Sequence, residues 1–237
     1  MLKGCAAGGP HNDPSLGPNE SERRMDKPLV ILGSRTYAEE VYDLTTDIPG
    51  CRVEAFIENW DRDRCAAMID GLSILWIDRL GEFAATHEAI CALTTTQRAG
   101  FVEQARAHGI PFARLVHPTA LISKRARIGE GCIINRGAQI ATQTVLGRHV
   151  VVSRGALIGH HTTVDDFCTI QPGANVAGAV RVGQGAYIGM GAVILETLNI
   201  GAHSVIGAGA VVTRDVPDHV QVVGVPARVV REGIVGK

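Results

Sequence analysis

The sequence predicts a small α/β domain with a Rossmann-like parallel sheet, followed by a parallel β-solenoid built from hexapeptide repeats. Sixteen aliphatic residues recur at every sixth position between Ile122 and Val212, without an exception. Before them, short apolar runs alternate with helical patterns between residues 27 and 116. Only 4% of the residues are aromatic, so the core has to be built from aliphatic side chains in a regular arrangement.

The ladder of aliphatic residues is the strongest signal in the chain. A small residue often precedes the aliphatic one by two positions, as Ala156 precedes Ile158, and glycine often follows it, as Gly159 does. Residues two apart share one face of a strand, so both members of each pair are expected to point inward. A helix would instead require a repeat of about 3.6 residues. The sixteen positions are Ile122, Ile128, Ile134, Ile140, Leu146, Val152, Ile158, Val164, Ile170, Val176, Val182, Ile188, Ile194, Ile200, Ile206 and Val212.

Hexapeptide repeats of this kind are typical of parallel β-solenoids. The pattern resembles the left-handed parallel β-helix, in which three hexapeptides form one triangular coil. Sixteen hexapeptides then make a little over five coils, and the prism is about 25 Å long at ~4.8 Å per coil. Helices of this type usually associate around a threefold axis, and we expect a homotrimer.

The segment before the ladder predicts strands that alternate with helices. Residues 29–32 form a short apolar run that Gly33 ends, and Thr36 with Glu39 has the spacing of a helix capping box. The stretches CRVEAFIENW and EAICALTTT predict further strands, and AGFVEQARAHG predicts a helix. Gly33 stands without the other glycines of a dinucleotide-binding fingerprint, so NAD binding is unsupported. Exposed N–H groups at the helix start suit an anionic or polar ligand, and a docking domain with an ordinary turn is the alternative.

Composition and charge exclude several classes of function. A formal net charge of −1 gives no electrostatic reason to expect nucleic acid or an anionic membrane as partner. No apolar run approaches the ~20 residues that span a bilayer. Residues 1–26 are rich in Gly, Pro, Asn and Ser, which predicts a disordered extension. The six cysteines are scattered without a CxxC pair, which favours the reducing cytoplasm and thiols used for packing.

Three stretches carry a resemblance to a known family: the link LVHPTALIS, the repeat segment ALIGHHTTVDDFCTIQPGANVAGAV and the end VTRDVPDHVQVVGVPARVV. With the α/β segment before them, they resemble the bacterial sialic-acid O-acetyltransferase-like sugar acyltransferases, which include N-acetyltransferases of nucleotide-linked 4-amino sugars. The resemblance implies a homotrimer, acetyl-CoA held between neighbouring β-helices as acyl donor, and sugar recognition shared with the N-terminal domain. We expect no metal and a role in surface-glycan biosynthesis. The resemblance divides the chain into the extension 1–26, a nucleotide-sugar-binding α/β domain 27–116 and a β-helix acyltransferase domain 117–237.

The resemblance also implies roles for individual residues. His160 matches the catalytic base, which removes a proton from the acceptor as the acceptor attacks the thioester. A neutral imidazole suits that task because its ordinary pKa of about 6.5 lies near working pH. The N–H of Gly178 matches a donor to the tetrahedral oxyanion, and Met190 and Ala208 match positions that line CoA. The positions that match contacts with the nucleotide sugar are Gly33, Ser34, Arg35, Glu58 and Asn59.

Three positions depart from the family pattern. His161, expected as a second catalytic residue, stands where the family commonly has an acidic residue that raises the basicity of the base. Ser153 replaces an amide side chain near the acceptor nitrogen, and Thr169 replaces a histidine that contacts CoA. We expect Ser153 to bind substrate and Thr169 to bind CoA, while the identity of the acceptor stays open.

Other functions stay open at this point. The acceptor is a sugar amine or, alternatively, a sugar hydroxyl; a non-catalytic sugar-nucleotide-binding scaffold is a further alternative. A zinc hydratase of the γ-carbonic-anhydrase type would need three converging histidines, and the spacing here does not reproduce that family's. His149, His203 and His219 are expected to be solvated corner residues, and His117 to close the turn into the first coil. Asp165 and Asp166 are expected to be solvated turn acids.

Overall fold

The computed structural model describes residues 26–237, so the predicted extension lies, except for Asp26, outside the described residues. The strands and the two α-helices of the α/β part are β1 (Leu29–Leu32), α1 (Thr36–Thr46), β2 (Val53–Glu58), β3 (Met68–Ile69), β4 (Leu72–Trp76), β5 (Glu88–Cys91) and α2 (Ala99–Ala107). The five strands form one sheet in the order β3–β4–β2–β1–β5, parallel except for the β3–β4 pair. The predicted strands and helices of this segment are confirmed.

The predicted capping box at the start of α1 is wrong. The helix begins at Thr36, so Arg35 occupies the N-cap position and caps no N–H with its side chain. Thr36 lies inside the first turn, one residue too late for its hydroxyl to act as the cap. Of the N–H groups at this end of α1, those of Ala38 and Glu39 donate to the carbonyl of Arg35, at 2.7 and 3.3 Å.

The rest of the chain is the expected left-handed parallel β-helix, a triangular prism with three sheets as its faces. Of the sixteen ladder residues, fifteen are buried, and Ile122 in the first coil is half-buried. The first face has six strands: Leu121–Ile122, Gln139–Ile140, Leu157–Ile158, Asn175–Val176, Val193–Ile194 and Val211–Val212. The second face has five: Arg127–Ile128, Val145–Leu146, Thr163–Val164, Arg181–Val182 and Asn199–Ile200. The third face has eight: Leu115–Val116, Ile133–Ile134, Val151–Val152, Thr169–Ile170, Tyr187–Ile188, Val205–Ile206, Val220–Val223 and the antiparallel Arg228–Glu232.

The prism has three corners, and each is a stack of turns from successive coils. Corner A joins the first and second faces, corner B the second and third, and corner C the third and first. Several corner residues other than glycine adopt a left-handed φ, including His161 at 57° and Ala179 at 57° in corner A. The turns stacked at each corner include 123–125, 141–143, 159–161, 177–179 and 195–197 in corner A; 129–131, 147–149, 165–167, 183–185 and 201–203 in corner B; and 135–137, 153–155, 171–173, 189–191 and 207–209 in corner C.

The α/β part covers the third face and reaches corner C. Ile133 and Val151 on that face belong to the same apolar cluster as residues of α1 and the five-stranded sheet. Fully buried Arg98 donates hydrogen bonds to the carbonyl oxygens of His149 and Cys168 on the prism. Corner A joins the first and second faces, so it lies opposite the third face. It is therefore on the far side of the prism from the α/β part. None of the helices within residues 26–237 is long and apolar enough to cross a membrane.

Candidate active site

His160 and His161 lie together in the corner A turn 159–161, and both side chains are exposed. Their Nδ1 atoms are 3.1 Å apart, and the two rings meet edge to face at an interplanar angle of 85°. The backbone fixes the turn from both sides. The N–H of His161 donates to the carbonyl of Thr142 one coil below at 3.0 Å, and the carbonyl of His160 accepts from the N–H of Ala179 one coil above at 2.7 Å.

Gly178 lies directly beside the imidazole of His160. A Cβ at position 178 would lie 2.6 Å from Cε1 and 2.7 Å from Nε2 of His160, too close for a carbon atom. Only glycine therefore leaves room for the ring in this position. Within residues 26–237 the N–H of Gly178 donates no backbone hydrogen bond, so it is available to an oxygen atom placed beside His160.

A shallow groove of about 390 Å³ runs along the first face up to this corner. Gly159 and Ala177 form its end, and they directly precede His160 and Gly178 in the chain. Leu121 and Leu157 contribute exposed apolar side chains to the groove, and Gln139 and Asn175 contribute exposed amides. The lining residues are Leu121, Gln139, Ile140, Ala141, Leu157, Ile158, Gly159, Asn175, Val176 and Ala177.

The residues that were expected to bind CoA do not all lie near His160 within one chain. Met190 and Ala208 are exposed and stack on successive coils of corner C, where the carbonyl of Met190 accepts from Gly209 at 2.8 Å. Thr169 is fully buried in the third face; its hydroxyl accepts from Arg98 at 2.9 Å and donates to the carbonyl of Thr94 at 3.2 Å. This contact joins the two parts of the chain, and a role of Thr169 in CoA binding stays a prediction.

The residues that were expected to bind the sugar nucleotide meet at the carboxyl ends of β1 and β2. Gly33 has a φ of +113°, and a Cβ there would lie 3.2 Å from the carbonyl oxygen of Ala92, so this turn requires glycine. The buried hydroxyl of Ser34 donates to the carboxylate of Glu58. Ligands of open parallel sheets usually bind beyond the carboxyl ends of the strands. Ser153 is buried in corner C, the corner on the side of α1.

Glu58 holds the loop that follows β2 by accepting several hydrogen bonds. Its carboxylate accepts from the backbone N–H groups of Asn59 at 3.0 Å and Trp60 at 2.8 Å. Burial alone would raise the pKa of Glu58, but these bonds and the one from Ser34 outweigh burial and keep the pKa below its usual value. The group is therefore an anion that organises the loop at neutral pH.

Arg64 is a member of this cluster that the sequence analysis missed. Its Nε donates to the hydroxyl of Ser34 at 2.8 Å and lies 3.9 Å from the carboxylate of Glu58. The residue comes from a short 3-10 helix, Arg62–Ala66, for which the sequence contains no clear signal. Arg35 beside it is exposed and 3.5 Å from Asp61, so its guanidinium faces the solvent side of the loop.

The other histidines have structural contacts. His117 is buried, with Nδ1 2.8 Å from the hydroxyl of Thr119 and Nε2 3.0 Å from Asp47, in the turn into the first coil. The expectation that His149 is solvated is wrong: its ring is buried, stacks on Phe167, and has a pKa lowered to about 3, mainly by burial. His203 and His219 stack on each other at corner B. Among residues 26–237 no cluster of three or more His, Cys, Asp or Glu residues is arranged to hold a metal ion.

Comparison with solved structures reveals similar chains that match this one along almost their whole length. PerB from Caulobacter crescentus, in complex with CoA and GDP-perosamine, is 28% identical with a TM-score of 0.79, over 86% of this chain and 98% of that chain. The acetyltransferase domain of PglB from Neisseria gonorrhoeae is 27% identical with a TM-score of 0.77, over 86% and 100%. The resemblance to the sugar acyltransferases is confirmed.

Further solved structures are similar to this chain. Two variants of perosamine N-acetyltransferase from Caulobacter crescentus, each with one histidine replaced, are 27% identical with a TM-score of 0.81, over 88% of this chain and 99% of theirs. Both hold CoA and GDP-perosamine. No protein-family model matches the chain, and no curated protein is similar to it at a significant level.

Proposed function

We propose that this protein is an acetyl-CoA-dependent N-acetyltransferase that acts on the amine of a nucleotide-linked amino sugar in surface-glycan biosynthesis. The observation that carries the proposal is the pair formed by His160 and Gly178 at the end of the groove in corner A. A base and a free N–H donor lie side by side there, as acyl transfer requires. Similarity to a structure that holds CoA and GDP-perosamine supports the choice of donor and acceptor.

The reaction follows from the chemistry of these two residues. Nε2 of His160 accepts the proton that the sugar amine loses as the amine nitrogen bonds to the thioester carbonyl carbon. The N–H of Gly178 donates to the oxyanion that develops at that carbon. When the oxyanion collapses, the C–S bond breaks, the sulfur leaves with the electron pair, and His160 returns its proton to the thiolate. The products are an amide on the sugar and free CoA.

We propose that the active site is completed by a second copy of the chain in a homotrimer. His160 in corner A lies opposite the face that carries the α/β part, while Ser34 and Glu58 lie in that α/β part. Met190 and Ala208 in corner C are likewise separated from corner A. Corner A of one subunit beside corner C and the α/β loop of the next would bring the base, the CoA-lining residues and the sugar-nucleotide loop into one cleft.

The loop after β1 is proposed to bind the nucleotide sugar. The N–H groups of Thr36 and Tyr37 at the start of α1 have no side-chain cap and, within residues 26–237, no backbone acceptor, so they can donate to an anionic group. Arg35 places an exposed positive charge at this point. Glu58 and Arg64 hold Ser34 in place from below, so the loop is organised before a diphosphate binds.

The experiment that tests the proposed function measures free CoA released from acetyl-CoA in the presence of single nucleotide-linked amino sugars. We expect release with at least one of them, and a product whose acetyl group survives mild alkali because it is an amide. An acetyl group that mild alkali removes would indicate a sugar hydroxyl as acceptor. Binding of the nucleotide sugar without any release of CoA would indicate a non-catalytic scaffold and would overturn the proposal.

A further inference from the structure

The contact between His160 and His161 restricts the protonation of both rings. Their Nδ1 atoms are 3.1 Å apart, within hydrogen-bond distance, and only one hydrogen atom fits between them. One ring therefore donates from Nδ1 and the other accepts at Nδ1. If Nδ1 of His160 accepts the hydrogen bond, the ring proton lies on Nε2, and Nε2 cannot accept another proton. If Nδ1 of His160 donates it, Nε2 carries a lone pair and can accept a proton.

We propose that His161 is a positioning residue that accepts a hydrogen bond from Nδ1 of His160 and so fixes the tautomer with a free Nε2. The inference rests on the proposed function, in which Nε2 of His160 takes the proton of the amine. After that transfer His160 is an imidazolium, and the lone pair on Nδ1 of His161 stabilises its positive charge through the same hydrogen bond. The base is therefore supported by a neutral imidazole rather than by a carboxylate.

The charged groups around the pair do not take over this role. The turns directly below and above it, 141–143 and 177–179, carry no charged side chain. The nearest charges of corner A are Lys124 and Arg125 two coils below and Glu196 two coils above, about 10 Å away at ~4.8 Å per coil. Arg181 and Asp165 lie on the second face and at corner B. Among residues 26–237 no acidic side chain forms an ion pair with His160 or His161.

The backbone of His161 tolerates the substitutions that test the proposal. Its φ of 57° equals that of Ala179, which holds the same position one coil above, so alanine fits this turn. Aspartate adopts a left-handed φ more readily than most residues. Thr197, at a φ of 64° in the same position two coils above, and exposed Gln143, at 57° one coil below, offer matched control sites.

The decisive substitution is His161→Asp, which replaces the neutral acceptor by an anion. An opposite charge within about 4–6 Å raises the pKa of an imidazole by about 1–3 units. We expect the acidic limb of the pH profile of kcat/KM to move to higher pH by at least about one unit, and not to move in the control Thr197→Asp.

The substitution His161→Ala is expected to lower kcat about tenfold with little change in KM, because the ring of His160 loses its fixed tautomer. The control Gln143→Ala is expected to leave kcat unchanged.

A second measurement does not depend on enzymatic activity. The rate at which diethyl pyrocarbonate modifies His160, followed by peptide mass spectrometry against pH, reports the pKa of that ring. The inflection is expected to move to higher pH in His161→Asp and not in Thr197→Asp. Equal inflections in the wild type and His161→Asp would overturn the positioning role, whatever the activity. A shift of the inflection in a protein that acetylates no amino sugar would instead support the pair and contradict the proposed function.

Discussion

Replacement of His160 by alanine is expected to lower kcat by about 10²–10⁴-fold, the usual contribution of a positioned general base. KM for acetyl-CoA and for the sugar should change little, since the base acts on the proton only in the transition state. The side chain is exposed at corner A, so its loss removes no core contact and the β-helix should stay folded. Steady-state kinetics with both substrates varied measure this effect.

The control for that substitution is His203→Ala, which removes a histidine from a different corner, where it stacks on His219. We expect nearly normal kcat for this variant. Turnover within a few-fold of the wild type in a correctly folded His160→Ala protein would show that another group takes the proton, and the mechanism proposed above would be wrong.

Replacement of Gly178 by valine is expected to lower kcat by about 10²-fold, the effect of a displacement of roughly 1 Å at a reacting group. A Cβ at this position would lie 2.6 Å from Cε1 of His160, so the imidazole has to move away. The φ of Gly178 is not in the left-handed region, so valine adds no strain of that kind. The substitution therefore tests the position of the ring separately from its chemistry.

Glu196→Val is the matched control, because residue 196 holds the same position in the next coil of corner A and is exposed. It should fold and react normally. If Gly178→Val kept full activity, the imidazole would not need the space beside residue 178, and the geometry of the base would have to be assigned differently.

The β-helix could be predicted from the sequence because each hexapeptide repeats the same local requirement. An inward aliphatic residue such as Ile158 and a following glycine such as Gly159 fix strand, turn and register together. A Cβ on Gly159 would lie 2.5 Å from the carbonyl carbon of Ala177 in the next coil, so the glycine is required by the stacking itself. The close stacking of successive coils therefore explains why glycine so often follows the inward aliphatic residue.

Contacts between the two parts of the chain could not be predicted in the same way. Thr169 is held by Arg98, which is 71 positions away in the sequence. His149 has the left-handed φ of a corner residue, but Phe112 and Phe167 bury its ring against the α/β part. No local pattern marks such residues, because their partners come from a docking geometry that only the folded chain specifies.

The candidate site also contains residues that the sequence predicts and one that it does not. The family resemblance predicts His160, His161 and Gly178, and the structure places His160 beside both of the others within corner A. Arg64 was missed because its link to Ser34 depends on how β1 and β2 lie side by side.

The central claim is that His160 of one subunit works on a sugar held by the α/β loop of another. It is tested most directly by mixing two variants that we expect to be inactive alone, His160→Ala and Arg35→Glu, in hetero-oligomers purified through a different tag on each subunit. An intact site then forms wherever an Arg35→Glu subunit supplies His160 and a His160→Ala subunit supplies Arg35, so we predict that acetyl transfer returns. Hetero-oligomers as inactive as either variant alone would contradict a site shared between two chains.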